Sequence, residues 1–192
     1  MGARRATGPP NENNHQAVIP LHDDNPTRRR AVMTMALIAI NVVVCLFVQP
    51  HAGQEEVNFL YRRAAVPCEV TTGHPVEVDN SGEPSCDLRE GRTVFPEKNV
   101  YLAILVSMFL HANLLHIGGN MLFLWIFGNN IEDRMGWIGY PIFYIVSGVV
   151  AAATQFAIDP NSTVPVIGAS GAIAGVMGAY LEIGRASCRE RV

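Results

Sequence analysis

Val166-Ile167-Gly168-Ala169-Ser170-Gly171-Ala172-Ile173-Ala174-Gly175-Val176-Met177-Gly178-Ala179-Tyr180-Leu181 is the stretch on which the reading of this chain turns. It is apolar and uncharged, and Ser170 sits near its start between small residues. A Pro-containing loop, Asp159-Pro160-Asn161-Ser162-Thr163-Val164-Pro165, leads into it. A serine one turn inside such a helix lies where free backbone N–H groups and the positive end of the helix dipole collect. That place stabilises an anion, and therefore an oxyanion. A second reading rests on the same residues. Gly171/Gly175 and Ala174/Gly178 are small-xxx-small pairs, which let membrane helices pack closely.

Composition sets the class. Of the 192 residues 49% are hydrophobic and only 16% charged, against about 25% charged in soluble domains. The apolar excess lies in long runs, which points to an integral membrane protein of one domain. A net charge of -3 argues against nucleic acid as a partner. The four cysteines show neither a CxxC nor a Cys/His metal spacing.

Outward from the opening stretch, the runs arrange themselves by charge. Residues 1–30 are polar, Pro- and Asn-containing and without apolar periodicity, and read as a disordered tail. The tail ends in Arg28-Arg29-Arg30, directly before an apolar run. The positive-inside rule therefore places the N-terminus in the cytosol. Residues 31–48 carry no charge and form the first expected span. Residues 49–100 are then an external loop, predominantly acidic, in which Cys68 and Cys86 are placed to pair in an oxidising exterior. From Tyr101 to Phe127 the chain is too long for one crossing, so a break is expected near His111-Ala112-Asn113. An embedded piece, 101–110, would precede the second span at 114–130. The third span, 137–158, opens with the interfacial residues Trp137 and Tyr140. The fourth, 164–183, heads inward. Residues 184–192 change abruptly to an off-pattern basic tail. The expected fold class is all-α, a polytopic membrane helix bundle with its N-terminus cytosolic, in the cell membrane.

This topology gathers the polar residues. His116 and Asn120 are four apart and share a helix face, one or two turns below the outer surface, and Ser170 lies at a similar depth. A serine at a helix N-terminus facing a His/Asn pair looks like a nucleophile with side-chain donors for an oxyanion. Interhelical hydrogen bonding explains the same residues, at about 0.6 kcal/mol each. A soluble α/β-hydrolase is excluded, because its nucleophile elbow needs G-x-S-x-G after a strand and position 172 is Ala172.

His111-Ala112-Asn113-Leu114-Leu115-His116-Ile117-Gly118-Gly119-Asn120-Met121, then Gly128-Asn129-Asn130-Ile131-Glu132-Asp133-Arg134-Met135-Gly136, then Gly168-Ala169-Ser170-Gly171 resemble the rhomboid intramembrane serine proteases. The resemblance covers about 31 to 181. It implies that Ser170 is the nucleophile, with Gly168 and Gly171 as motif glycines. His116 and Asn120 would be the oxyanion donors, together with the Ser170 backbone N–H. Glu132 and Arg134 would form a structural pair on the inner side, and His111 would stand at the entrance of the second helix. The implied partners are transmembrane substrates and the lipid bilayer, with no metal or organic cofactor.

One departure accompanies the match. Rhomboids use a Ser/His dyad whose histidine comes from a later helix, and all six histidines here precede Ser170. The chain thus reads as the N-terminal part of a rhomboid core, with about four of six core helices. A serine without a base is a poor nucleophile, so the chain is expected to be inactive alone. The competing class is a non-proteolytic rhomboid-like protein that binds transmembrane clients. A small transporter or channel is less well supported, since the sequence has no pathway of charges or paired repeats.

Overall fold

The computed structural model describes residues 30–78, 82–86 and 92–189, with side chains through residue 182. The expected N-terminal tail, apart from Arg30, and residues 190–192 lie outside that range.

The chain is mostly helical. Helix α1, Val32–Val43, continues through a π-helical turn, Val44–Val48, and the two form one apolar rod. Helices α2 (Gly53–Arg63) and α3 (Pro67–Thr72) follow, then three two-residue strands, β1 (Glu77–Val78), β2 (Pro84–Ser85) and β3 (Arg92–Thr93). The strands form an antiparallel sheet in the order β2-β1-β3. This small sheet is the exception to an all-α reading. A short helix α4, Leu102–Ser107, precedes the long α5, Leu114–Ile158, and α6, Ser170–Arg189, closes the described chain.

Helix α5 is two helices joined at Gly136, whose φ of 77° and ψ of 171° break the helical path. Glycine supplies that φ without a Cβ penalty. Gly128 shows that the chain folds back there: a Cβ at this position would lie 2.7 Å from the Tyr140 hydroxyl and 2.8 Å from Thr34 Cγ2. In one straight helix those two positions would stand about 18 Å apart. The cytosolic turn expected after residue 130 is therefore compressed into one residue, and the helix runs on to Met135.

Four helical segments thus run alternately between two ends of a bundle. At one end Thr34, Gly128, Glu132 and Tyr140 meet. At the other Gln49, Ser107, His111, His116 and Ser170 gather. The core between them packs Leu37, Leu124, Ile131, Tyr140, Tyr144, Ala172, Ile173 and Val176. Gly171 lets α6 approach the second half of α5, where a Cβ would sit 2.6 Å from that of Ala151, and Gly175 packs likewise on Ser147. The pair Gly171/Gly175 is therefore a packing seam, whereas Gly178 faces open space. The outer faces of the helices are apolar and exposed, as at Ile40, Phe47, Leu115, Trp125, Trp137, Ile142 and Val150. Exposed apolar surface of this extent marks a membrane or protein interaction face.

The expected loop 49–100 is a folded cap rather than a plain loop. Cys68 and Cys86 are joined by a disulfide. Glu69 and Lys98, both fully buried, form an ion pair. Glu69 also accepts from Val76 N, and Lys98 donates to the Tyr61 carbonyl. Burial pulls the Lys98 ammonium below its ordinary pKa, against the opposing pull of Glu69. A buried charge pair persists only when its other hydrogen bonds are largely made, and here Val76 N and the Tyr61 carbonyl each supply one. At the other terminus, residues 184–189 continue helix α6 instead of forming a separate tail.

Candidate active site

Ser170 opens helix α6, and the preceding residues 164–169 are not helical, so the fourth helix starts later than residue 164. Ile173 N donates to the Ala169 carbonyl at 3.0 Å, so Ala169 is the half-turn before the helix. The N–H groups of Ser170, Gly171 and Ala172 consequently have no intrahelical acceptor. Ser170 itself is exposed, while Ala169 and Ala172 on either side are buried. It lines a groove of about 440 Å³ bounded by α4, the second half of α5 and residues 165–168.

The strap before Ser170 is held by backbone bonds to the cap. Cys68 N donates to the Ser162 carbonyl at 3.0 Å, and Val166 N to the Ala65 carbonyl at 2.8 Å. The Thr71 hydroxyl donates to the Pro160 carbonyl at 2.9 Å. Gly168 N donates to the Ser107 carbonyl at 2.9 Å. Gly168 has a φ of 118°, which only glycine adopts readily. A Cβ there would also lie 2.8 Å from His116 Cε1 and Nε2 and 3.7 Å from Ser170 Oγ. The glycine is required twice, for its φ and for the imidazole edge packed against it.

That contact brings His116 to Ser170 across Gly168. The half-buried His116 stands in the first turn of α5, where Asn113 is the N-cap and its side-chain oxygen accepts from His116 N at 2.8 Å. The His116 Nδ1 faces Ala112 N at 3.4 Å, which leaves Nε2 toward the glycine and the serine. Asn120, one turn deeper, is buried, and its Nδ2 donor has no partner. A buried amide donor without a partner among the described residues is costly, and a water or a bound oxygen would satisfy it.

His111 is fully buried beside His116, with ring centroids 5.1 Å apart in an edge arrangement. The Gln49 side chain brackets its backbone, accepting from His111 N at 3.0 Å and donating to its carbonyl at 2.5 Å. Burial first, and then the neighbouring His116, push the His111 pKa down to about 4. The Phe109 carbonyl pulls weakly the other way without reaching hydrogen-bonding geometry. His111 is thus a neutral wall at ordinary pH.

Glu132 and Arg134 lie at the far end and are not joined as a pair. Arg134 is exposed and forms no ion pair among the described residues, while the buried Glu132 carboxylate accepts from Met33 N, Thr34 N and Thr34 Oγ1 at 2.8 to 2.9 Å. Helix α1 has no side-chain cap of its own. Glu132 supplies that cap from another helix and places a negative charge at the dipole's positive end.

Residues 98–188 match the family model described as Rhomboid domain. That match, with the relatives that follow, supports a rhomboid family member. The Arabidopsis thaliana Rhomboid-like protein 11, chloroplastic, is 39% identical over 70 residues, 36% of this chain and 25% of that protein. RHOMBOID-like protein 6, mitochondrial, from the same plant, is 36% identical over 78 residues, or 41% and 25% of the two chains. Rhomboid protease GluP of Bacillus subtilis is 32% identical over 80 residues, or 42% and 15%. The chain spans a quarter or less of the length of these relatives. No solved structure matches it. Rhomboid relatives thus include a named protease, and Ser170, His116 and Asn120 lie within residues 98–188.

The residues that sequence reasoning passed over are Gln49, Ser107 and Asn113. Ser107 and Asn113 appear in the sequence only as polar interruptions of apolar runs, and Gln49 as the first loop residue. The available signal was that each polar interruption inside a membrane needs a partner.

Proposed function

We propose that this protein is a serine endopeptidase that cuts transmembrane substrates near the outer membrane face. What supports the reading is one arrangement: an exposed Ser170 at the start of α6, His116 against Gly168, and the unpartnered amide of Asn120. Ser170 Oγ attacks the scissile carbonyl. The charge that develops on the carbonyl oxygen is taken up by the first-turn N–H of Ser170, by Asn120 Nδ2 and by His116, donors fixed in advance in a site of low dielectric. Residues 31–183 form the membrane domain in this proposal, with the N-terminus in the cytosol and the cap outside, in the cell membrane. Four core helices of a rhomboid bundle are then present. Protease treatment of sealed vesicles tests the orientation: cap residues 49–98 are cut from the outside, and protection of that segment contradicts it.

The rhomboid resemblance assigns the general base to a histidine on a later helix, and all six histidines of this sequence precede Ser170. A second reading is a non-proteolytic rhomboid-like protein that binds transmembrane clients, for which the groove beside Ser170 offers a seat. Cleavage of a labelled transmembrane substrate in liposomes separates the two. Full-length protein turns the substrate over and its Ser170→Ala variant does not. Binding without any Ser170-dependent cleavage by full-length protein supports the second reading instead.

A further inference from the structure

We propose that Ser107 is a positioning residue for the nucleophile, a role that rests on the protease reading above. Ser107 is the last residue of α4 and is buried, 6% exposed, inside an otherwise apolar piece of chain. Nothing about burial alone calls for a hydroxyl there, because an alanine fills most of the same space. What the hydroxyl does is accept: Ala65 N donates to Ser107 Oγ at 2.6 Å. The Ser107 carbonyl, one of the acceptors left open at a helix C-terminus, receives Gly168 N at 2.9 Å and shares itself with Leu110 N at 3.2 Å.

One residue therefore ties together three parts of the molecule. Its side chain holds Ala65 of the cap, and its carbonyl holds Gly168 of the strap. Between those two anchors, Ala65 and Val166 close an isolated antiparallel bridge. The result is a closed path, Ser107 to Ala65 to Val166 to Gly168 and back to Ser107. Gly168 is two residues before Ser170 and is the surface on which the His116 ring rests. The position of Ser170 relative to His116 is accordingly set by where Gly168 lies, and Ser107 helps to set it. Ser107 touches no reacting atom in this account. It acts through Gly168.

Removing the hydroxyl leaves the buried Ala65 N–H without an acceptor and opens one side of the path. The strap then gains freedom where displacement matters most, since about 1 Å of misplacement is enough to cost about 10²-fold in rate. In full-length protein in nanodiscs, normalised to active sites titrated with a fluorophosphonate, Ser107→Ala lowers kcat by about 10- to 100-fold with KM within a few-fold. Ser107→Thr, which restores an acceptor oxygen, recovers most of kcat. A purely structural residue lowers the number of titratable sites and leaves kcat per site unchanged; that outcome overturns the proposal, as does equal kcat for the alanine and threonine variants.

A readout independent of chemistry distinguishes failure of this inference from failure of the protease reading. Hydrogen exchange at Val166 and Gly168 rises in Ser107→Ala while exchange at Met33 and Thr34, at the other end of the bundle, does not. Unchanged exchange at Val166 and Gly168 overturns the positioning role whatever Ser170 does. Raised exchange in a protein whose Ser170 never reacts leaves the tether standing and removes the protease reading.

Discussion

Two buried polar side chains of the matched motifs, Glu132 at one end of the bundle and Asn120 at the other, are handled in opposite ways. At the Glu132 end, both carboxylate oxygens are engaged and three donors of α1 are satisfied at 2.8 to 2.9 Å. At the Ser170 end, Asn120 Nδ2 and both ring nitrogens of His111 have no hydrogen-bonding partner, and Ser170 faces a groove. The first arrangement is what stability selects, because an unmade buried hydrogen bond is expensive. The second costs stability and is tolerated where another molecule supplies the missing partner. On the proposed protease reading, the difference assigns Glu132 to holding and Asn120 to acting.

Breaking the comparison from the acting side has the largest expected effect. Asn120→Ala or His116→Ala lowers kcat of full-length protein by about 10²–10³-fold, the range for loss of one oxyanion donor. The unfolding midpoint changes little, because Asn120 Nδ2 makes no bond to lose. Steady-state cleavage beside thermal melting in the same detergent checks this. A normal rate, or a large fall in the midpoint, would place Asn120 with the structural residues.

From the holding side, Glu132→Ala strands three donors at the start of α1 and destabilises the fold by on the order of 3 kcal/mol. Its kcat per titrated site stays at the wild-type value. Denaturant melts in mixed micelles give the first number, and active-site titration gives the second.

The cap supplies a smaller effect. Cys68 and Cys86 close a loop of separation 18, for which the chain-entropy relation gives about 3 kcal/mol before relaxation of the native state. The double variant Cys68→Ser/Cys86→Ser is expected to fall short of that figure, since the buried Glu69–Lys98 pair still fastens the same segment. Alkylation and mass mapping of unreduced protein should show the two cysteines linked.

The smallest effect concerns His111 and pH. Its ordinary pKa is 6.5 and its folded value about 4. Between these values the unfolded chain binds more protons than the folded one, so stability rises with pH through that window. The contribution is complete above about pH 6.5 and is lost as pH falls toward 4. A His111→Gln variant flattens that part of the stability curve. An unchanged slope would mean that His111 does not titrate there.

Much of this was legible in the sequence. The charge-free runs gave the helices, Gly136 closed a polar stretch, and the break at His111-Ala112-Asn113 fell where Asn113 caps α5. Residue type and depth brought Ser170, His116 and Asn120 together in the sequence reading, and the rhomboid resemblance supplied their roles. The cap was not legible, because α2 and α3 are short, each strand has two residues, and the segment is fastened by the disulfide and the Glu69–Lys98 pair. The role of Glu132 was also hidden. Its donors are the backbone of α1, nearly a hundred residues earlier, and backbone N–H groups leave no mark in a sequence. Ser107 was hidden for the same reason, since both of its partners are main-chain amides.

The central claim is that Ser170 is a nucleophile, and covalent labelling of full-length protein by a fluorophosphonate tests it most directly. The account predicts a single modified peptide carrying the label on Ser170, abolished in Ser170→Ala and slowed in Asn120→Ala. Folded protein that takes up no label, or label on another residue that persists in Ser170→Ala, would contradict it.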